Sequence, residues 1–410
     1  MMNYYSPLTY VVPPDEEGFY LKTILQNRMG LSRKLLSRLK LTEQGITVNG
    51  KREYISIKVK SGDVIEIRMQ EEESEDILPQ DLPLEILYED EHLLIVNKES
   101  GMIVHPTHGH YLNTVANAAV HHWKERGENV RFRPVHRLDQ ETSGVLAIAK
   151  NPYVHQQISE QMIAHSITKE YLAIVHGTVA QDRGTIDAPI DRDPEQPHVR
   201  IVTPSGYRAV THYEVVRRYD GITLVRLMLE TGRTHQIRVH MKHLGHPLLG
   251  DKMYGPEAGS PERAGDGSPA GDAATAEAEG AREDAGAERA AKEATHEDAG
   301  ADCAAREAAH EGAEAERAAR EAATAEAGGA RGAVGQAAHE GAGVDCAARE
   351  AAHEDTGADC AGTQTQAAPS LARQALHAYR LGFVHPGTRE RVEFTAPLPA
   401  DMQAVLDACE

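Results

Sequence analysis

The sequence predicts an α+β protein: a mixed, mostly antiparallel sheet, preceded by a small basic α/β module and interrupted by a low-complexity insertion. Three observations support this. Between Leu84 and Leu229, short apolar runs recur with polar turns between them and only a few helical stretches. Regular βαβ alternation and a glycine-rich phosphate loop are both missing, which disfavours a parallel doubly wound sheet. Composition also breaks at Pro256. Residues 256–369 hold 25 acidic and 9 basic residues, so most of the chain's net charge of −20 is local and the remainder is close to balanced. The acidic average therefore does not exclude a polyanionic partner.

At 410 residues the chain is long enough for two or three domains. Residues 1–14 read as an extended lead ending in Pro13-Pro14. Residues 15–70 form a basic module. Within it Ser32 suits an N-cap for a helix that buries Leu35, Leu36 and Leu39 and turns Arg33, Lys34 and Arg38 to solvent. Asn49-Gly50 signals a type I′ hairpin after Ile46-Thr47-Val48, with Lys51 just beyond it, and Val64–Ile67 alternates as a strand. Residues 71–83 read as an acidic linker bounded by prolines.

The main domain opens at 84 with a hairpin, Leu84–Tyr88 against Leu93–Val96. Helices are expected at Thr114–Trp123 and Gln156–Ala164. Strands are expected at Val145–Ala149, Tyr171–Val175, Thr211–Arg217 and Ile222–Leu229. From Thr234 to Leu244 the apolar residues Ile237, Met241 and Leu244 keep the spacing of a buried helix stripe, and Gly245 suits its end. Residues 256–369 are rich in Ala, Glu and Gly, contain repeats, and have Val334 and Val344 as their only β-branched aliphatics. They are expected to be a disordered insertion. The domain resumes over 370–410, with a helix-like start at Ser370 and a strand through Arg391–Phe394.

Four cysteines without a Cys-x-x-Cys pair support neither a disulfide framework nor a zinc ribbon. The histidine-rich stretches lack His-Glu-x-x-His, so no metal is expected. With no signal-peptide pattern and no apolar run of spanning length, a cytoplasmic protein is expected.

Chemistry concentrates in Val135-His136-Arg137-Leu138-Asp139-Gln140-Glu141-Thr142-Ser143-Gly144. This polar loop between two extended segments carries one cation and two hydroxyls around Asp139. Asp139, Thr142 and Ser143 would equally suit a plain turn.

The wider string His136-Arg137-Leu138-Asp139-x-x-Thr142-Ser143-Gly144 resembles the active-site signature of the RluA family of RNA pseudouridine synthases. Further stretches resemble that family in the expected order. They are Asn97-Lys98-x-x-Gly101-Met102-x-Val104-His105-Pro106, Lys169-x-Tyr171 with Gly177, Thr231–Arg238, Gly250-Asp251-x-x-Tyr254-Gly255, and Gln374–Ala378 with His385-Pro386. The resemblance implies a pseudouridine synthase fold and uridine isomerisation without a cofactor. Asp139 would be the ionised catalytic carboxylate and Arg238 its guanidinium partner, with Arg233 as the competing candidate. Tyr171 would stack on the extruded base and Arg137 would fill the gap that it leaves. His235, Arg233 and Arg137 would face RNA. The basic module resembles the S4 RNA-binding domain, with Arg33, Lys34, Arg38 and Lys51 toward phosphates, although its first helix lacks the module's usual opening. The expected partner is ribosomal RNA and the expected state a monomer. The alternatives are a tRNA or dual target, or a non-catalytic RNA-binding or ribosome-assembly protein.

Overall fold

The computed structural model describes residues 3–256 and 370–410. Apart from Pro256, the insertion expected at 256–369, with Cys303, Cys346 and Cys360, lies outside the described residues.

The N-terminal segment forms a four-stranded antiparallel sheet of order β1-β4-β2-β3, built from β1 (Leu8–Val11), β2 (Ile46–Val48), β3 (Lys51–Arg52) and β4 (Val64–Ile67). Asn49 and Gly50 both take positive φ, 52° and 78°, as a type I′ turn requires. The first helix is short: α1 (Leu21–Thr23) runs straight into a π turn over Ile24–Arg28 and buries Leu21, Ile24 and Leu25. In α2 (Arg33–Leu41) the Leu35 N–H donates to Ser32 Oγ at 3.2 Å, and Leu35, Leu36 and Leu39 are buried.

The acidic stretch 71–83 packs along the fold. Phe132 N–H donates to Ser74 Oγ at 2.8 Å, Arg133 donates to Glu72 at 2.6 Å, and Ile77 is buried. The main sheet has nine strands. Its path is β5 (Glu85–Glu89), β6 (Leu93–Lys98), β7 (Ser143–Ala149), β14 (Leu376–Val384), β8 (Thr168–His176), β13 (Ile222–Leu229), β12 (Val210–Arg218) and β9 (Arg183–Asp187). β15 (Arg391–Thr395) also pairs with β14. Only the β7–β14 pairing is parallel, so the sheet is mixed and mostly antiparallel. A separate ribbon joins β10 (Ile190–Arg192) and β11 (Arg200–Val202).

Around the sheet lie α3 (Val115–Glu125), capped reciprocally by Thr114 and Asn117, α4 (Pro152–Ile163), α5 (Gln236–His243) and α6 (Ala400–Asp407). The N-terminal segment packs on α4. Tyr153 Oη donates to Met29 O, and the Gln156 and Gln157 amides donate to Gly30 O. Leu21, Ile24 and Leu25 share one core cluster with Tyr153, Val154 and Ile158.

The helix-like start expected at Ser370 is not formed. Residues 370–375 are irregular and lead into β14, the strand between β7 and β8. The backbone there is used sideways: Ala375 N–H donates to Leu249 O at 2.8 Å, and Ala375 O accepts from Ile174 N–H at 3.1 Å. Groups paired across strands are not available to a helical i to i−4 ladder.

Candidate active site

The loop carrying Asp139 enters the sheet at the start of β7, where Ser143 and Gly144 face His377 and Ala378 of β14. Gly144 has φ +115°, and a Cβ there would fall 2.2 Å from Ala378 O, so the close parallel approach requires glycine. Thr142 N–H donates to Asp139 O at 3.0 Å and closes the turn. Ser143 Oγ donates to His377 Nδ1, whose Nε2–H donates to Ala396 O.

Two buried cations fix the loop from behind. Lys98 Nζ donates to three carbonyls, Glu99 at 2.8 Å, Met102 at 2.7 Å and Gln140 at 2.8 Å. Burial lowers its pKa to about 7, against the opposing charges of Glu141 and Asp139. Arg373 pairs with both oxygens of Asp401 and also donates to Glu141 O.

The other wall is α5. Gln236 anchors its start: its Oε1 accepts from Arg233 N–H and Thr231 Oγ, and its amide donates to Val210 O. Arg238, two residues on, is 8% exposed in its side chain and makes a bidentate pair with fully buried Asp251. Nε donates to Oδ2 at 2.7 Å and Nη2 to Oδ1 at 2.8 Å. The Asp251 carboxylate also accepts the N–H groups of Met253 and Tyr254. Burial would raise the Asp251 pKa, but the guanidinium more than reverses that and holds it below the usual carboxylate range. Arg238 Nη1 then points at Asp139 Oδ2, 3.4 Å away.

Asp139 is 31% exposed, and His235 Nε2 lies 4.0 Å from the same oxygen. Tyr254 Oη accepts from Arg200 N–H at 2.8 Å and shares a hydrogen bond with His235 Nδ1 at 2.9 Å. Burial lowers the His235 pKa, so the ring stays neutral near pH 7. The Tyr254 ring also lies 4.8 Å from the Arg238 guanidinium carbon. Half-buried Tyr171, on β8 opposite Ala378, faces the same cleft; burial, then the Asp139 charge, raises its hydroxyl pKa, keeping it protonated.

Six of the residues singled out from sequence line one cleft: Arg137, Asp139, Tyr171, Arg233, His235 and Arg238. Arg137 is exposed and has no ion pair among the described residues. Arg233 is turned aside, with Nε donating to Arg208 O and its guanidinium 5.6 Å from the Tyr207 ring, whereas Arg238 takes the place beside Asp139. The remaining cations lie on the N-terminal segment: Arg33, Lys34 and Lys51 are exposed, and Arg38 pairs with Glu72. Sequence reasoning gave no role to Asp251, Tyr254, Lys98 or Arg373, although the first three stand in the motifs that it quoted. Among the described residues, no group of three or more His, Cys, Asp or Glu is placed to hold a metal ion, and no helix is long and apolar enough to cross a membrane.

The cleft thus presents a buried guanidinium to a partly exposed carboxylate beside the mixed sheet. Comparison narrows the class. Residues 92–243 match the RNA pseudouridylate synthase family. The chain is 45% identical over 214 residues to the uncharacterized RNA pseudouridine synthase YlyB of Bacillus subtilis, covering 52% of this chain and 71% of that protein. It is 42% identical over 228 residues to YjbO of the same organism, named likewise, covering 55% and 81%. Over 222 residues it is 41% identical to the ribosomal large subunit pseudouridine synthase D of Escherichia coli K12, covering 53% and 68%. The chain belongs to the RNA pseudouridine synthase family, of the RluA type, and is an isomerase acting on RNA.

Proposed function

We propose that the chain converts specific uridines of large-subunit ribosomal RNA to pseudouridine, with Asp139 as the catalytic carboxylate. The observation that carries this reading is the Asp139–Arg238 arrangement. A carboxylate moved into a pocket loses hydration and drifts toward its neutral form. Arg238 offsets that loss, and because Asp251 holds its other donors, Nη1 stays aimed at Asp139 when the pocket fills. Asp139 then either attacks the sugar or assists removal of a proton from it, while the base leaves, turns and rejoins through carbon. The reaction is redox-neutral and needs no cofactor.

Extruding the uridine costs roughly a few kcal/mol of stacking. The exposed, unpaired Arg137 suits the vacated space, and Tyr171 offers a ring to the base with a hydroxyl that stays protonated near the reacting atoms. The ribosomal target rests on the relative named as a large-subunit enzyme. In the same reading residues 15–70 act as an S4-like domain, with Arg33, Lys34 and Lys51 on phosphates and affinity that falls as salt rises. The direct test is to map pseudouridines across large-subunit ribosomal RNA and tRNA from cells with and without this protein. Sites in the former that vanish support the proposal; an unchanged map, or losses confined to tRNA, removes it.

A further inference from the structure

One cation beside the cleft has no role in the chemistry above. Lys169 lies two residues before Tyr171 on β8, so both side chains leave the same face of the strand. A Cβ on Gly232, which lines the cleft, would sit 3.8 Å from Lys169 Nζ, placing the ammonium at the cleft's edge. Lys169 is half-buried, yet its nitrogen is not among those sealed from solvent. Among the described residues its ammonium has neither an ion pair nor a hydrogen bond. Two other cations on this sheet are matched by carboxylates: Arg226 lies by Glu170 and Glu214, and Arg380 by Glu170 and Glu393. An ammonium that has lost part of its hydration without gaining a counter-charge is costly in the free protein, and an arriving anion removes that cost. The groups nearest the Lys169 end of the cleft supply none. Gly232 has no side chain, and the half-buried His136 ring is neutral, its pKa lowered to about 4 by burial and then by Lys169 itself.

We propose that Lys169 binds a backbone phosphate of the RNA, next to the uridine that enters the cleft, and so holds the strand in register with Asp139. The proposal rests on the reading of the cleft as the uridine site. An ammonium on a flexible stem suits a phosphate because it acts as a point charge and needs no fixed approach angle. Such a contact positions the substrate without reading its sequence.

The test compares wild type, Lys169→Met and Lys169→Arg on an unmodified large-subunit ribosomal RNA transcript, with binding measured across a salt series. Losing one phosphate contact should weaken binding about tenfold at low salt and make the slope of log K against log salt shallower by about 0.7 to 0.9. The arginine variant should restore the slope. A Lys169→Met protein with wild-type affinity and slope overturns the proposal, as does an equal loss in both variants. Should Lys169→Met fold poorly, the wild-type protein still decides. RNA should shield Lys169 from an amine-reactive ester, read by mass spectrometry, and unchanged labelling in the complex contradicts the assignment. Failure of the uridine reading looks different: wild type would make no pseudouridine in the transcript, while slope and labelling still report on Lys169.

Discussion

Arg238 is shared unequally between two carboxylates. Asp251 takes two short parallel bonds from it in a fully buried setting, and Asp139 has a single longer contact in a cleft open to solvent. The first pair sets the geometry and the second uses it. Asp251→Asn should therefore cost about 3–5 kcal/mol at pH 7, since it strands a buried guanidinium; urea unfolding measures this. The folded pKa of Asp251 lies below its unfolded value of about 3.9. Its contribution is thus complete above that value and is lost as pH falls through the folded one. The stability difference between wild type and Asp251→Asn should shrink toward pH 3; a gap independent of pH would show that the pair is not ionised as described. Asp139, Tyr171 and Arg137 were legible because each sits in a contiguous motif. The role of Asp251 was not, because it exists only once α5 and the chain after it fold together.

At the scale of elements, the loop that carries Asp139 depends on β14 running parallel to β7 within reach of Gly144. Gly144→Ala must leave its left-handed backbone and meets Ala378 O at 2.2 Å, so it should cost at least about 2–3 kcal/mol and reduce activity through misplacement of Asp139. Thermal unfolding together with the single-turnover rate separates the two effects; wild-type values for both would mean that the close approach is not required. The elements legible in sequence are those whose periodicity matches their burial. The α5 stripe buries Ile237 and Met241, and Gly245, at φ +89°, ends it. The Asn49-Gly50 turn and the Ser32 cap were likewise read from residues whose conformation is nearly dictated. β9 escaped because Ile186 is its only buried residue, and β14 escaped because both of its faces are covered and its pattern does not alternate.

For the molecule as a whole, the segments flanking residues 257–369 run side by side. Leu249 O accepts from Ala375 N–H, and a Cβ on Gly250 would meet Leu371 O at 2.5 Å and Arg373 O at 2.1 Å. Replacing 257–369 by a short flexible linker should therefore leave folding and turnover within about twofold of the full chain, since closing a shorter loop costs less entropy. Loss of cooperative unfolding on that deletion would assign the segment a structural role. The composition break at Pro256 was plain in sequence, whereas the adjacency of its two flanks was not, because it arises from strand order in the sheet.

In this proposal one charged carboxylate performs the isomerisation while RNA binding is built elsewhere. The test is pseudouridine formation by Asp139→Asn on an unmodified large-subunit ribosomal RNA transcript, alongside the binding constant of the same protein. The expected result is a rate lowered by at least about 10²–10⁴-fold, with affinity within about threefold of wild type. Pseudouridine formed at the wild-type rate by Asp139→Asn would contradict it.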